Sequence, residues 1–490
     1  MTWIGSHWLV LLFLAAFIGL MAHHAWVGKR RTRGLVDYYV GGRSMGGAAI
    51  GLSFFATYSS TNSFVGFSGQ AYTYGLPWLL LAPCAVVFSL IAWLWIAPRL
   101  REFTASLNSV TIPDFIGIRF GSNGARFLAA IIILFASLLY MTAIFKGIGN
   151  LLEVFLDIPY GFAIVVVFLI VVIYTSVGGF ISVVRTDVVQ GILMVFAAAL
   201  LFRGTIQAAG GMGSLSLLSG QPETAGLFSW NAAMPFPVLF GILVAGTMKF
   251  IVEPRQLSRF YALKDRKATR RGMWISTLAF LFVYSLLVPI GLYTRIIFPD
   301  GIEDTDRIVP ALISGGDIFH PVVGAFLLVA MLAAALSSLD SVLLVTASTC
   351  ERDVVSLWRQ PLSEAASVRA TRFYVVLLAL ITALVALDPP GGIVTLTAFS
   401  GSVYAACFFP AIVLGLHWSR GNGAAVMTSF FLGLTTLLLW KYLPFAAAVH
   451  QVFPAMFLSL MAYVIISLSS RPNSAPEIQQ LFSHSSPGRT

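Results

Sequence analysis

The chain has 490 residues, of which 58% are hydrophobic and only 10% charged, with a net charge of +10 and a mean hydropathy of +0.88. A soluble domain carries about 25% charged residues, so this composition excludes a soluble enzyme and any disordered or fibrous class. The basic residues sit in short segments between long apolar runs, which makes them topology signals rather than a nucleic-acid surface.

A bilayer core of about 30 Å takes about 20 apolar residues per helix. Thirteen candidate spans follow in order: 6–27, 46–72, 76–98, 126–147, 159–177, 182–205, 236–254, 273–296, 321–349, 372–388, 391–416, 423–441 and 450–468. The chain is therefore expected to be all-α and polytopic, a single transmembrane domain in the plasma membrane with a polar tail over 469–490. The first span is not read as a cleaved signal peptide, because no positive charge precedes it and its apolar run is too long. Lys29, Arg30, Arg31 and Arg33 follow it at once, which puts the N-terminus outside. Thirteen crossings then put the C-terminus inside, with 24 of the 30 Lys and Arg on the cytoplasmic side and the acidic segment 298–310 outside. Lys146, Arg203, Arg295 and Lys441, with Trp78 and Trp440, read as interface anchors at span ends. The three cysteines offer no disulfide framework or zinc spacing, and the seven histidines no ligand spacing.

Function in such a chain concentrates where the apolar pattern fails. The largest failure is in the second span, where Ala56, Thr57, Tyr58, Ser59, Ser60, Thr61, Asn62 and Ser63 form a polar octet flanked by glycines. Backbone at membrane depth can leave the helix only where it lines a cavity within protein. A locally unwound helix there frees carbonyls for a cation and N–H groups for an anion. Helix packing by small residues is the alternative. A second failure is Ala333-Ala-Ala-Leu-Ser-Ser-Leu-Asp-Ser341, whose hydroxyls are hard oxygen ligands for an alkali cation and whose Asp340 must be paired, protonated or wet. A third is Thr186, Asp187 and Gln190 after the Gly178-Gly179 turn; Asp187 is either a helix N-terminal acid or a relay for a leaving cation. The fourth is Lys249, four residues before Glu253 and close to the helix-ending Pro254. Lys249 either snorkels, pairs with Glu253 or Asp340, or faces the cavity as a buried ammonium that attracts a carboxylate.

These residues, taken together, resemble the sodium/solute symporter family. The matching motifs are Asp37-Tyr-Tyr-Val-Gly-Gly-Arg-Ser44, Phe64-Val-Gly-Phe-Ser-Gly69, Tyr174-Thr-Ser-Val-Gly-Gly179 with Arg185-Thr-Asp-Val-Val-Gln190, Ser258-Arg-Phe260, and Leu336-Ser-Ser-Leu-Asp-Ser341 running to Arg352-Asp353. Each is weak alone; their order over about 30–470 is specific. The resemblance implies a LeuT-like core of two five-helix inverted repeats, 46–205 and 236–416, with 6–27 and 423–468 peripheral. It implies a sodium site formed by the carbonyls of Ala56, Ser59 and Ala334 and the hydroxyls of Ser337 and Ser338. Asp187, with Asp340 and Ser341, falls where an ion exit or second cation position lies. Substrate is expected beside the break, near Thr57, Tyr58, Thr61 and Asn62, with Lys249, Phe399 and Ser402 opposite. Lys249 stands where sugar carriers have an aromatic gate, which favours a monocarboxylate or amino acid over a sugar.

The expected function is secondary active transport, Na⁺-coupled symport of a small organic solute by alternating access, with no covalent chemistry. A proton-coupled carrier using Asp340, Asp187 and Lys249, and a transporter-like membrane sensor, are the competing readings. The expected partners are the solute and the lipid bilayer, with no nucleic acid; oligomeric state is not legible.

Overall fold

Apolar stretches of 18 residues or more with few charges become helices, because in lipid only a helix satisfies its own backbone. The computed structural model describes residues 3–483 apart from 232–233, 315–317, 359–361 and 474. Among the described residues there is no β-sheet, only one isolated bridge between Met45 and Leu263. Among the described residues, eleven helices are long and apolar enough to cross a membrane: α1 (Trp3–Arg31), α4 (Leu76–Ser106), α5 (Asn123–Leu156), α7 (Gly178–Ala208), α8 (Phe236–Ala262), α9 (Arg266–Ile297), α10 (Pro321–Val355), α11 (Glu364–Ala386), α12 (Ile393–His417), α13 (Gly423–Trp440) and α14 (Val452–Ser469). Two shorter apolar helices stand where the other two spans were expected, α2 (Gly47–Tyr58) and α6 (Tyr160–Ser176). A further short helix, α3 (Phe67–Tyr74), completes the second span.

Two helices are interrupted where the site forms. α2 ends at Tyr58; Ser59 adopts an extended backbone (φ −71°, ψ 120°), and the chain re-enters helix through a wide π turn over Asn62–Gly66. α8 is interrupted at Glu253, also extended (φ −77°, ψ 125°). The reason lies in the next residue: Pro254 bars helical backbone at the position before it and then opens a new helical segment, Pro254–Ala262.

Close packing holds these broken helices in place. Gly47 and Gly51, one turn apart on α2, face α9. A Cβ at Gly47 would overlap the Ala268 carbonyl, and one at Gly51 would stand 2.6 Å from the Gly272 oxygen. Only glycine lets the two backbones approach this far. α10 is the most enclosed span, with 83% of its apolar window buried, against 11% for α1. That contrast sets α10 in the middle of the bundle and α1 at its edge.

Candidate functional site

The break after α2 meets the serine pair of α10. Ser337 Oγ lies 2.8 Å from the Ala56 carbonyl and 2.9 Å from that of Ala334. Ser338 Oγ lies 2.9 Å from the Thr57 carbonyl and 3.2 Å from that of Ser59. Thr57 Oγ1 reaches the Ser337 carbonyl at 3.5 Å. All five residues expected to hold the ion, Ala56, Ser59, Ala334, Ser337 and Ser338, therefore come together, and all are fully buried. Loss of helix is what frees the oxygens: Ser60 N–H donates to Ser63 Oγ, one turn on, instead of back to Ala56. Each serine hydroxyl has one proton and faces two carbonyls, so one proton cannot serve both. The cluster is rich in hard oxygen and short of protons, which is the donor set an alkali cation takes.

Beside it, Asp187 from α7 is wholly buried and charge-matched. Arg259 Nη2 donates to Asp187 Oδ2 at 2.9 Å, and Ser53 Oγ donates to the same oxygen at 2.5 Å. Arg259 also donates to Ser53 Oγ (3.1 Å) and Ser341 Oγ (2.5 Å). Ser341 in turn donates to the Ser337 carbonyl at 2.7 Å, so the guanidinium is two bonds from the serine pair. Asp340, equally buried, has no hydrogen-bond partner within standard geometry among the described residues. Its ionisable neighbours are Asp187, Arg259 and Tyr174.

On the other side of the break a small cavity of about 30 Å³ opens, lined by Tyr58, Asn62, Tyr140, Lys249, Arg255 and Thr397 with an apolar remainder that includes Phe67, Trp78 and Val394. Tyr58 stacks on Phe250 with ring centroids 4.0 Å apart, and its hydroxyl donates to the Gly246 carbonyl at 3.0 Å. Lys249 neither snorkels nor pairs with Glu253 or Asp340. Its side chain is 3% exposed, with Nζ 4.3 Å from the Tyr140 ring centroid, a cation–π position. Glu253 instead meets Arg255 at 3.0 Å, because the extended Glu253 backbone ends the helical i,i+4 register. Arg255 Nη1 donates to the Tyr140 hydroxyl at 2.9 Å.

Of the residues expected near the solute, Tyr58, Asn62 and Lys249 share this cavity. Thr57 turns to α10. Thr61 packs against Gly147 of α5, and Ser402 bonds the Ala398 carbonyl within α12. The partly buried Phe399 is not among the lining residues, although its neighbours Thr397 and Ala398 are. Sequence reasoning passed over Arg255, Arg259 and Tyr140. Arginines beyond a helix-ending proline look like cytoplasmic topology charges, and nothing in composition shows that Pro254 restarts a helix that is buried throughout. Lys146 and Trp78 also differ from simple anchors. Lys146 pairs with Asp306 at 3.0 Å, and Trp78 is 1% exposed.

Comparison with known proteins bears on the same region. Residues 38–433 match the family model for the sodium:solute symporter family. The chain is 31% identical over 466 residues to the sodium/pantothenate symporter of Haemophilus influenzae, covering 93% of this chain and 95% of that one. It is 30% identical over 460 residues to the high-affinity proline transporter PutP of Bacillus subtilis, covering 91% and 95%. Among solved structures, a Na⁺-coupled sialic acid symporter in a substrate-bound outward-open state superposes with a TM-score of 0.81 at 20% identity, over 95% of this chain and 98% of that one. Mhp1, a nucleobase-cation-symport-1 family transporter, superposes with a TM-score of 0.55 at 13% identity, over 91% and 98%. The chain belongs to the sodium:solute symporter family and has the LeuT-like fold. It is a multi-pass membrane transporter that couples sodium to the movement of a small solute.

Proposed function

We propose that this member of the sodium:solute symporter family carries a solute bearing a carboxylate, a monocarboxylate or an amino acid rather than a sugar, and that its sodium ion is held by the carbonyls of Ala56, Ser59 and Ala334 and the hydroxyls of Ser337 and Ser338. The observation that carries the ion site is the surplus of oxygen over protons between α2 and α10. The observation that carries the solute class is the buried Lys249 at the cavity wall. Pantothenate and proline, named for two relatives, both carry a carboxylate.

In this reading two five-helix halves, 46–205 and 236–416, rock against each other, with 6–27 and 423–468 at the periphery. Sodium bridges α2 and α10 and fixes the backbone at the break. The carboxylate docks on Lys249, with Tyr58 and Asn62 alongside. On release the ion passes the Asp187–Arg259 pair, with Asp340 and Ser341 beside it. With a zwitterionic solute, one positive charge moving through about 100 mV supplies about 2.3 kcal/mol, enough for roughly fifty-fold accumulation before any sodium gradient; with a monoanion the pair is neutral and the sodium gradient alone drives uptake.

Uptake into proteoliposomes under an imposed sodium gradient tests the reading. Carboxylates and amino acids are expected to accumulate and sugars not, with Lys249→Met abolishing that preference. Accumulation that follows a pH gradient and ignores sodium refutes the coupling, and uptake unchanged in Lys249→Met refutes the solute assignment.

A further inference from the structure

A second hollow, of about 480 Å³, lies apart from the ion and solute sites, where α1 ends. Lys29, Arg33 and Gly34 form one wall, and Glu364, Arg369 and Arg372 from the start of α11 form the other. The local chain builds it. Thr32 closes α1 by donating from its hydroxyl to the Gly28 carbonyl at 2.9 Å. Gly34 then runs extended, and the next N–H, that of Leu35, donates to Glu364 Oε2 at 3.3 Å. A Cβ on Gly34 would stand 2.8 Å from the same oxygen, so the turn is pinned to the first residue of α11. Glu364 and Arg372, eight residues apart on that helix, share a face, with Arg369 beside them.

Four cations thus line the hollow against one carboxylate, which the Leu35 N–H already engages. The neighbouring Asp37 accepts from the Arg33 N–H at 3.0 Å. Among the described residues, no ion pair holds Lys29, Arg33 or Arg369. Arg372 is steadied by Tyr38, with its guanidinium 5.9 Å from the ring centroid. Topology asks for basic residues on this face of the membrane, but not for their convergence on one hollow. Like charges gathered this way repel one another, and an anion seated among them removes the repulsion.

Depth in the bilayer says which anion. Trp26, three residues before Lys29, is 49% exposed, and the Arg30 guanidinium lies 3.8 Å over its ring. An exposed tryptophan marks the level of the headgroups. Just past Arg372, the apolar side chains of Phe373, Leu377 and Leu380 are exposed along α11. The hollow therefore opens at headgroup level with bare apolar helix running into the hydrocarbon from it. The cytoplasmic leaflet carries the anionic lipids, and basic pockets between helices on that side suit their headgroups.

We propose that this hollow binds an anionic phospholipid of the cytoplasmic leaflet. Lys29, Arg33 and Arg369 take the phosphate, and the acyl chains lie along α11 at Phe373, Leu377 and Leu380. The lipid joins α1, at the edge of the bundle, to α11. This site does not depend on which solute or ion the transporter carries.

Thermal unfolding of the purified full chain in a neutral detergent tests the site. Short-chain phosphatidylglycerol is titrated in parallel with phosphatidylcholine carrying the same acyl chains. Phosphatidylglycerol is expected to raise the melting temperature saturably, and phosphatidylcholine to leave it unchanged. Each cation lost is expected to weaken binding about fivefold, so Lys29→Gln, Arg33→Gln and Arg369→Gln together should weaken it roughly a hundredfold. Lys29→Arg with Arg369→Lys keeps the charge and should keep the affinity, which guards against a folding defect in the triple variant. Lys267→Gln, Arg270→Gln and Arg271→Gln remove the same charge from exposed positions at the start of α9 and should leave binding intact. Wild-type affinity in the first triple variant overturns the proposal. So does an equal loss in the second, which would mean diffuse attraction without a site. Displacement of the lipid by inorganic phosphate at equal concentration also overturns it, because the hollow would then take a free anion rather than a headgroup.

Discussion

Ser338→Ala is the sharpest perturbation of the proposed ion site. The hydroxyl is fully buried and lies 2.9 Å from the Thr57 carbonyl and 3.2 Å from that of Ser59. Alanine removes one of five oxygens from the ion and leaves the others in place. A hydrogen-bond-strength contact to a charge contributes about 1.5–3 kcal/mol, so sodium half-saturation should rise about tenfold to somewhat over a hundredfold. Two assays read this. In uptake, sodium is titrated at saturating solute. In thermal unfolding of the purified protein, sodium at about 100 times its dissociation constant stabilises by about 2.7 kcal/mol, and a tenfold weaker site loses about half of that. Thr346→Val is the control: the hydroxyl is buried in the same helix but bonds only the Val342 carbonyl, and its loss should leave sodium half-saturation unchanged. The reasoning is refuted if Ser338→Ala transports with wild-type sodium dependence, or if Thr346→Val shifts that dependence equally.

Asp187→Asn strips the counter-ion from a guanidinium that is 1% exposed, a loss of about 3–5 kcal/mol for a buried pair; a clear fall in melting temperature is expected. The double variant with Arg259→Gln should fall by less than the two single losses added, and strict additivity would deny the pairing. Gly401→Ala puts a Cβ into the Ala245 carbonyl and within 2.9 Å of Lys249 Cε. It should therefore weaken solute half-saturation more than sodium half-saturation, as separate titrations would show. Gly291→Ala would overlap the Ser68 carbonyl at the contact between α9 and α3; a sharp loss of monodisperse protein on size-exclusion chromatography is expected, and a normal yield would show that this contact yields easily.

The spans were legible because the bilayer imposes a length and a composition on each one. The break was legible because an octet from Ala56 to Ser63 has no use inside hydrocarbon unless something polar lies against it. Ser337 and Ser338 stood out as hard oxygen ligands in an otherwise apolar span and again by resemblance, and the contact of each with two carbonyls from separate residues goes beyond what any single motif announces. Arg255 and Arg259 were hidden for a physical reason. Their charge pattern is that of a cytoplasmic loop, and only the fold reveals that Glu253 and Asp187 wait for them inside. Lys249 was ambiguous for the same reason: snorkelling and burial differ in which way the helix faces, which a sequence near a proline break does not determine.

The proposed site explains coupling without any long pathway. Ala56 and Ser59 turn their carbonyls to α10, while Tyr58 and Asn62, interleaved with them, turn their side chains to the cavity. The two ligands thus share seven consecutive residues that straddle the helix break at Ser59 and Ser60. Unwound backbone costs about 1–2 kcal/mol of entropy for each residue it fixes, and whichever ligand binds first meets that cost. The second then finds the segment already ordered and binds more tightly, and by linkage the gain is the same in either order. Four residues of ordering would exceed the 1–3 kcal/mol typical of coupling free energies, so the serine pair must already hold part of the segment before sodium arrives. That is consistent with three hydroxyl–carbonyl contacts, to Ala56, Thr57 and Ser59, which tether the break to α10 with bonds the ion can later replace.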